Sequence, residues 1–134
     1  MAKLHAIQGI GEVYRSKLEA LGLRTTDDLL TLASTPRGRK DLAEKTGVDA
    51  KRILQWVNCA DLFRIKGIGP QYAELLEASG VDTVPELAQR RPENLYAKLG
   101  EVNQEKALVR QLPTLRLVRS WVAQAKALPR LVHY

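Results

Sequence analysis

With 134 residues, 45% of them apolar, the chain holds enough hydrophobic material for one compact domain or two small subdomains sharing a core. A single cysteine, Cys59, excludes an intramolecular disulfide and any multi-cysteine metal centre, and no run of about 20 apolar residues is present to span a bilayer. The net charge of +6 is concentrated: residues 106–134 contain Lys106, Arg110, Arg116, Arg119, Lys126 and Arg130 and no acid, so the preceding 105 residues are balanced. A local basic surface attracts polyanions far better than the same charge spread evenly. The opening residues Met-Ala-Lys-Leu-His lack the apolar run of a secretory signal, so a soluble cytoplasmic protein is expected.

In chain order, every element reads as a helix, because no segment alternates with period two. Val13, Tyr14, Lys17, Leu18 and Leu21 have helical spacing, stopped at Gly22. Thr25 with Asp28 forms the cap-and-acid signature of a helix start that continues through Leu29, Leu30 and Ala33. Thr35-Pro36 opens a helix that runs to Gly47, and Asp49 caps a longer one bearing Ile53, Leu54, Trp56, Val57 and Ala60. The plan then recurs: Tyr72 to Ser79 with a stop at Gly80, Thr83-Val84-Pro85-Glu86, and a helix from Pro92 ending near Gly100. A last helix spans Thr114 to Leu128.

The recurrence is an internal duplication. Ile7-Gln8-Gly9-Ile10-Gly11 and Ile65-Lys66-Gly67-Ile68-Gly69 stand 58 residues apart, and 11 of the 24 positions from Ile7 to Leu30 are identical to their counterparts. Trp121-Val122 matches Trp56-Val57 at offset 65, so the segment Val102 to Pro113 reads as an insertion in the second copy. Repeats of this length mean two similar supersecondary units. The expected division is 1–64 and 65–134, as one rigid body.

The apolar-x-Gly-apolar-Gly pattern leading into an amphipathic helix resembles the helix-hairpin-helix motif. The resemblance implies an all-α fold of tandem, duplicated helix-hairpin-helix units packed into one compact helical domain. It also implies contact with the backbone of duplex DNA. The run through Lys40-Asp41-Leu42-Ala43-Glu44-Lys45-Thr46-Gly47, Trp56-Val57-Asn58, Arg64 to Gly69 and Pro92-Glu93-Asn94-Leu95 is similar to the domain of unknown function 4332 family over nearly the whole chain. That family implies the fold and no established activity.

The two hairpins are not equivalent chemically. A helix N-terminus presents free N–H groups and partial positive charge to a phosphate. In the second copy Lys66 lies within the turn, Pro70 suits the first helical position, and Gln71 is a neutral donor. Lys66, Gly67, Ile68, Gly69 and Gln71 are therefore the phosphate-site candidates. In the first copy Glu12 follows Gly11 directly, Val13 replaces a donor, and Arg15 takes the place of a small residue; Gly9 and Gly11 rank second. The bland alternative is that both turns are only tight connections, with Ile10 and Ile68 plugging the core.

On the last helix Arg116, Arg119, Lys126 and Arg130 form one stripe of roughly 20 Å if the helix continues to Arg130. Arg37, Arg39 and Lys40 make a lesser cluster, partly offset by Asp41 and Glu44. A solvated charged face explains the stripe equally well. No catalytic, metal-ligating or cofactor-binding constellation is present, since His5, His133 and Cys59 have no partner motif. Two function classes remain open. One is a non-catalytic module contacting double-stranded DNA backbone, alone or as a subunit of a larger complex; the other is a protein-interaction or scaffold domain without nucleic acid.

Overall fold

The structure, a computed structural model, describes residues 3–7 and 9–134; Gln8, inside the first Gly-Ile-Gly turn, lies outside the described residues. Among the described residues a 3₁₀ turn (Leu4–Ala6) precedes eight α-helices: α1 (Glu12–Ala20), α2 (Thr26–Ala33), α3 (Pro36–Thr46), α4 (Ala50–Leu62), α5 (Pro70–Ala78), α6 (Val84–Ala88), α7 (Pro92–Lys106) and α8 (Leu115–Ala127). Among the described residues there is no strand, only an isolated antiparallel bridge between Lys3 and Thr25. None of these helices is long and apolar enough to cross a membrane.

Local chemistry sets the helix starts. Thr25 Oγ1 accepts from the Asp28 amide at 3.1 Å while Asp28 Oδ2 accepts from the Thr25 amide at 3.1 Å, a closed capping box. Thr35, Thr83 and Thr114 accept in the same way from the amides of Gly38, Glu86 and Leu117. Gly38 has a separate reason to be glycine: a Cβ there would lie 2.1 Å from the Leu32 carbonyl oxygen, so α3 starts against the end of α2 with no room for a side chain.

Two boundaries differ from expectation. Helix α7 passes through Gly100 and ends at Lys106, with Ala107 in the left-handed region at φ 49°. A mid-helix glycine costs only about 1 kcal/mol, which a 15-residue helix with Leu95, Leu99 and Val102 buried readily offsets. Five of the twelve residues of the inserted segment, Val102 to Lys106, are therefore extra helix. Helix α8 ends at Ala127, because Pro129 pushes Leu128 into extended backbone (φ −95°, ψ 141°).

The chain divides into two compact units, Met1–Asp61 with Leu131–Tyr134, and Leu62–Arg130. In the first, α2 packs on α3, and Leu4, Ile7, Leu18, Leu29, Ile53 and Trp56 are buried. The last four residues complete this unit: Val132 is buried and the His133 amide donates to the Ser34 carbonyl at 2.8 Å. In the second, α8 packs on α6 and α7 while α5 packs on α7, around Leu76, Leu87, Leu95, Leu99, Val118 and Trp121. Each unit stacks a tyrosine on a tryptophan. Tyr14 and Trp56 have ring centroids 5.3 Å apart at 59°, Tyr72 and Trp121 5.4 Å apart at 56°. The two tryptophans are buried in the core, while Tyr14 and Tyr72 are half-buried with their hydroxyls bonded to Arg52 and to the Gln111 carbonyl.

Candidate nucleic-acid interface

In the second unit the chain leaves α4 through a turn closed by the Ile65 amide on the Leu62 carbonyl (3.1 Å) and the Ile68 amide on the Ile65 carbonyl (3.3 Å). Gly67 sits at φ 98°, the left-handed region that glycine enters without steric cost. Ile65 and Ile68 point inward and are buried, whereas Lys66 and Gly67 face solvent. Gly69 caps α5 in extended backbone, with no side chain on the helix end. Among the described residues, no acceptor takes up the amides of Gly69 and Gln71, and Pro70 contributes no N–H. The result is an exposed helix start with two free donors beside a lysine.

Helix α8 holds this turn in place. Gln124 grips the backbone of Lys66 at both ends: its Oε1 accepts from the Lys66 amide at 2.9 Å and its Nε2 donates to the Lys66 carbonyl at 3.1 Å. Trp121 lies under Gly67, its Nε1 buried and without a hydrogen-bond partner among the described residues. Gln124 carries no recognisable motif. Its only sequence signal was its place opposite Cys59 in the duplication, a position where the first copy has no comparable donor and acceptor pair.

The basic stripe is shorter and less free than its spacing suggests. Arg116 and Lys126 are exposed on α8. Arg119 donates to Glu93 Oε1 at 3.2 Å, an exposed pair worth little energetically but enough to place a carboxylate beside the stripe. The backbone amide of Glu93 and then Arg119 hold that carboxyl below its ordinary range. Arg130 lies past the end of α8 and has interactions of its own, so it does not extend the helical stripe. The stripe is thus Arg116 to Lys126, about 15 Å.

In the first unit Gly9 takes φ 93° and Gly11 caps α1, but Glu12 and Val13 follow, with Val13 69% exposed. The Arg15 amide closes onto the Gly11 carbonyl at 2.9 Å. A cation absent from the sequence-based candidates stands over this helix: Arg52 donates to the Tyr14 hydroxyl at 2.7 Å, its guanidinium 5.5 Å from the ring centroid. The α3 cluster separates. Arg37 and Lys40 are exposed, but Arg39 is 5% exposed and donates to the Ala33 and His133 carbonyls at 3.0 and 2.6 Å, which removes it from any binding surface. Burial pushes that guanidinium below its ordinary value. Among the described residues no group of His, Cys, Asp or Glu is arranged to hold a metal ion.

No curated protein and no solved structure matches the chain significantly. The sequence profile of the family described as Domain of unknown function (DUF4332) matches residues 8–128, most of the chain, and the protein belongs to that family.

Proposed function

We propose that the protein is a non-catalytic, cytoplasmic binding module whose two Gly-Ile-Gly turns are helix-hairpin-helix elements, and that the second contacts the sugar-phosphate backbone of double-stranded DNA. The observation that carries this reading is the α5 start. The Gly69 and Gln71 amides have no acceptor among the described residues and stand next to exposed Lys66, on a turn that Gln124 grips from both sides. Donors fixed before binding bind an anion without a further ordering cost. Arg116 and Lys126 supply additional cations in the same unit, and such contacts position a protein on DNA without reading sequence. Three or four phosphates engaged would give a salt slope of roughly −3 to −4.

Fluorescence anisotropy with a short duplex at about 50 and 200 mM salt tests the assignment. Lys66→Glu and Arg116→Glu are each expected to weaken binding at least tenfold. Salt-sensitive binding that survives both substitutions would show that the surface lies elsewhere. A protein-interaction domain is the competing reading, favoured by exposed Val13 beside Glu12 at the start of α1, an apolar and acidic end unsuited to phosphate. Absence of duplex binding at the lower salt selects it.

A further inference from the structure

A cleft of about 410 Å³ opens in the first unit between the 3₁₀ turn, α1 and the corner that starts α2. It is lined by Lys3, His5, Arg15, Glu19, Arg24 and Thr25. Three permanent cations face one carboxylate, a net charge of +2 before His5 is considered. Of the acids next to the lining residues in sequence, Glu12, Asp27 and Asp28, none lines the cleft, and Asp28 is occupied as the α2 cap by the Arg24 and Thr25 amides at 2.9 and 3.1 Å. Arg15 Nε is buried and has no hydrogen-bond partner among the described residues; Glu19 Oε1, its closest acid, stands 3.8 Å away, beyond hydrogen-bonding reach. A buried donor of this kind is costly unless an acceptor reaches it.

The fold does not demand this charge. In the register of the duplication, His5, Arg15 and Arg24 correspond to Phe63, Ala73 and Asp82, while Glu19 corresponds to Glu77. Ala73 is buried in the second unit, whereas Arg15 lines the cleft with its side chain 41% exposed. The same positions that are basic in one copy are apolar or acidic in the other.

We propose that this cleft binds a phosphate monoester, its dianionic group seated among Arg15, Arg24 and Lys3. Guanidinium groups match phosphate oxygens in bidentate fashion, and a dianion with three acceptor oxygens balances the net charge where a monocarboxylate does not. The volume leaves room for a nucleoside-sized group beyond the phosphate. The site is separate from the α5 turn and does not depend on the nucleic-acid reading.

Calorimetric titration of the full chain at about 150 mM salt with AMP, inorganic phosphate, adenosine and succinate tests it. AMP and phosphate are expected to bind, adenosine and succinate at least tenfold more weakly. AMP binding much tighter than phosphate identifies a nucleotide as the ligand, and equal affinities identify a simpler phosphate ester. Arg15→Ala, which installs the residue of the second copy, and Arg24→Gln are each expected to lower AMP affinity at least tenfold, while Lys98→Glu, a charge reversal at an exposed position of α7, leaves it unchanged. Circular dichroism verifies that the variants fold. AMP affinity unchanged in folded Arg15→Ala, succinate or adenosine binding as tightly as AMP, or no phosphate binding at all overturns the proposal.

Discussion

Among the described residues, a methyl group added at Gly9 would meet only the Trp56 indole nitrogen, at an ordinary 3.5 Å, whereas one added at Gly67 would meet Trp121 Nε1 at 3.0 Å and Leu117 Cδ1 at 3.2 Å. The same five-residue pattern therefore seats loosely in the first unit and tightly in the second. The position matching Leu117 is Arg52, which donates to the Tyr14 hydroxyl, and the position matching Gln124 is Cys59, a thiol in place of a carboxamide. Duplication preserved the glycines and the tryptophan beneath them, while the supporting helix diverged at the positions of Leu117 and Gln124.

The largest expected effect strikes what the two units share. Trp56→Ala and Trp121→Ala each remove a buried ring under a turn and should cost about 3–5 kcal/mol, a large part of a typical domain's stability. Urea unfolding measures both; a cost below about 1 kcal/mol for either would mean that its unit does not rely on the ring beneath its turn.

The intermediate effect separates the units. Gly9→Ala and Gly67→Ala both force a side chain into the left-handed region, at about 1–2 kcal/mol. Crowding against Trp121 and Leu117 should add about 1 kcal/mol at Gly67 alone. Equal urea midpoints for the two variants would erase the distinction between loose and tight seating.

The smallest effect is a difference in pH response between matching corners. Asp28 is held below its ordinary carboxylate range by the amides of Arg24 and Thr25, so its contribution is present at neutral pH and lost as pH falls through its lowered folded value. Asp82 is pushed up by burial, and Glu77 by burial and then by Asp82 and Glu74 beside it. A raised carboxyl in the folded state has the opposite sign: its penalty is present at neutral pH and disappears as the group protonates. Asp28→Asn should therefore lower Tm at pH 7 and have no effect near pH 2. Asp82→Asn should raise Tm at pH 7 by no more than about 2 °C, with the gain vanishing near pH 3. Thermal scans of the two variants across that range decide it, and a parallel response would contradict the assigned environments.

Helix starts were legible in the sequence because a cap is made within four residues: Thr25 with Asp28, Thr35 with Pro36, Thr83 and Thr114 all act as their spacing indicates. Helix ends were less so. Gly100 looked like a stop and is not one, and the actual stop at Ala107 has no glycine to announce it. The pairing of Ile10 and Ile68 with the core followed from the pattern, but the exposure of Val13 did not, since spacing places it on the side of Tyr14 and Leu18. Arg39 was unreadable for a different reason: one of its two carbonyl partners is 94 residues away. The basic cleft was equally hidden, because Lys3, Arg15 and Arg24 share no helical face and meet only through tertiary structure.

The residues that finish the first unit are synthesised only after the whole of the second. Leu62–Arg130 is continuous in sequence and can close as soon as it leaves the ribosome, whereas the earlier segment must wait for Val132 to fill its core and for His133 to accept the Arg39 guanidinium. Order of emergence and order of completion are thus reversed. During translation the segment before Leu62 carries a buried-arginine site without one of its two acceptors until His133 arrives.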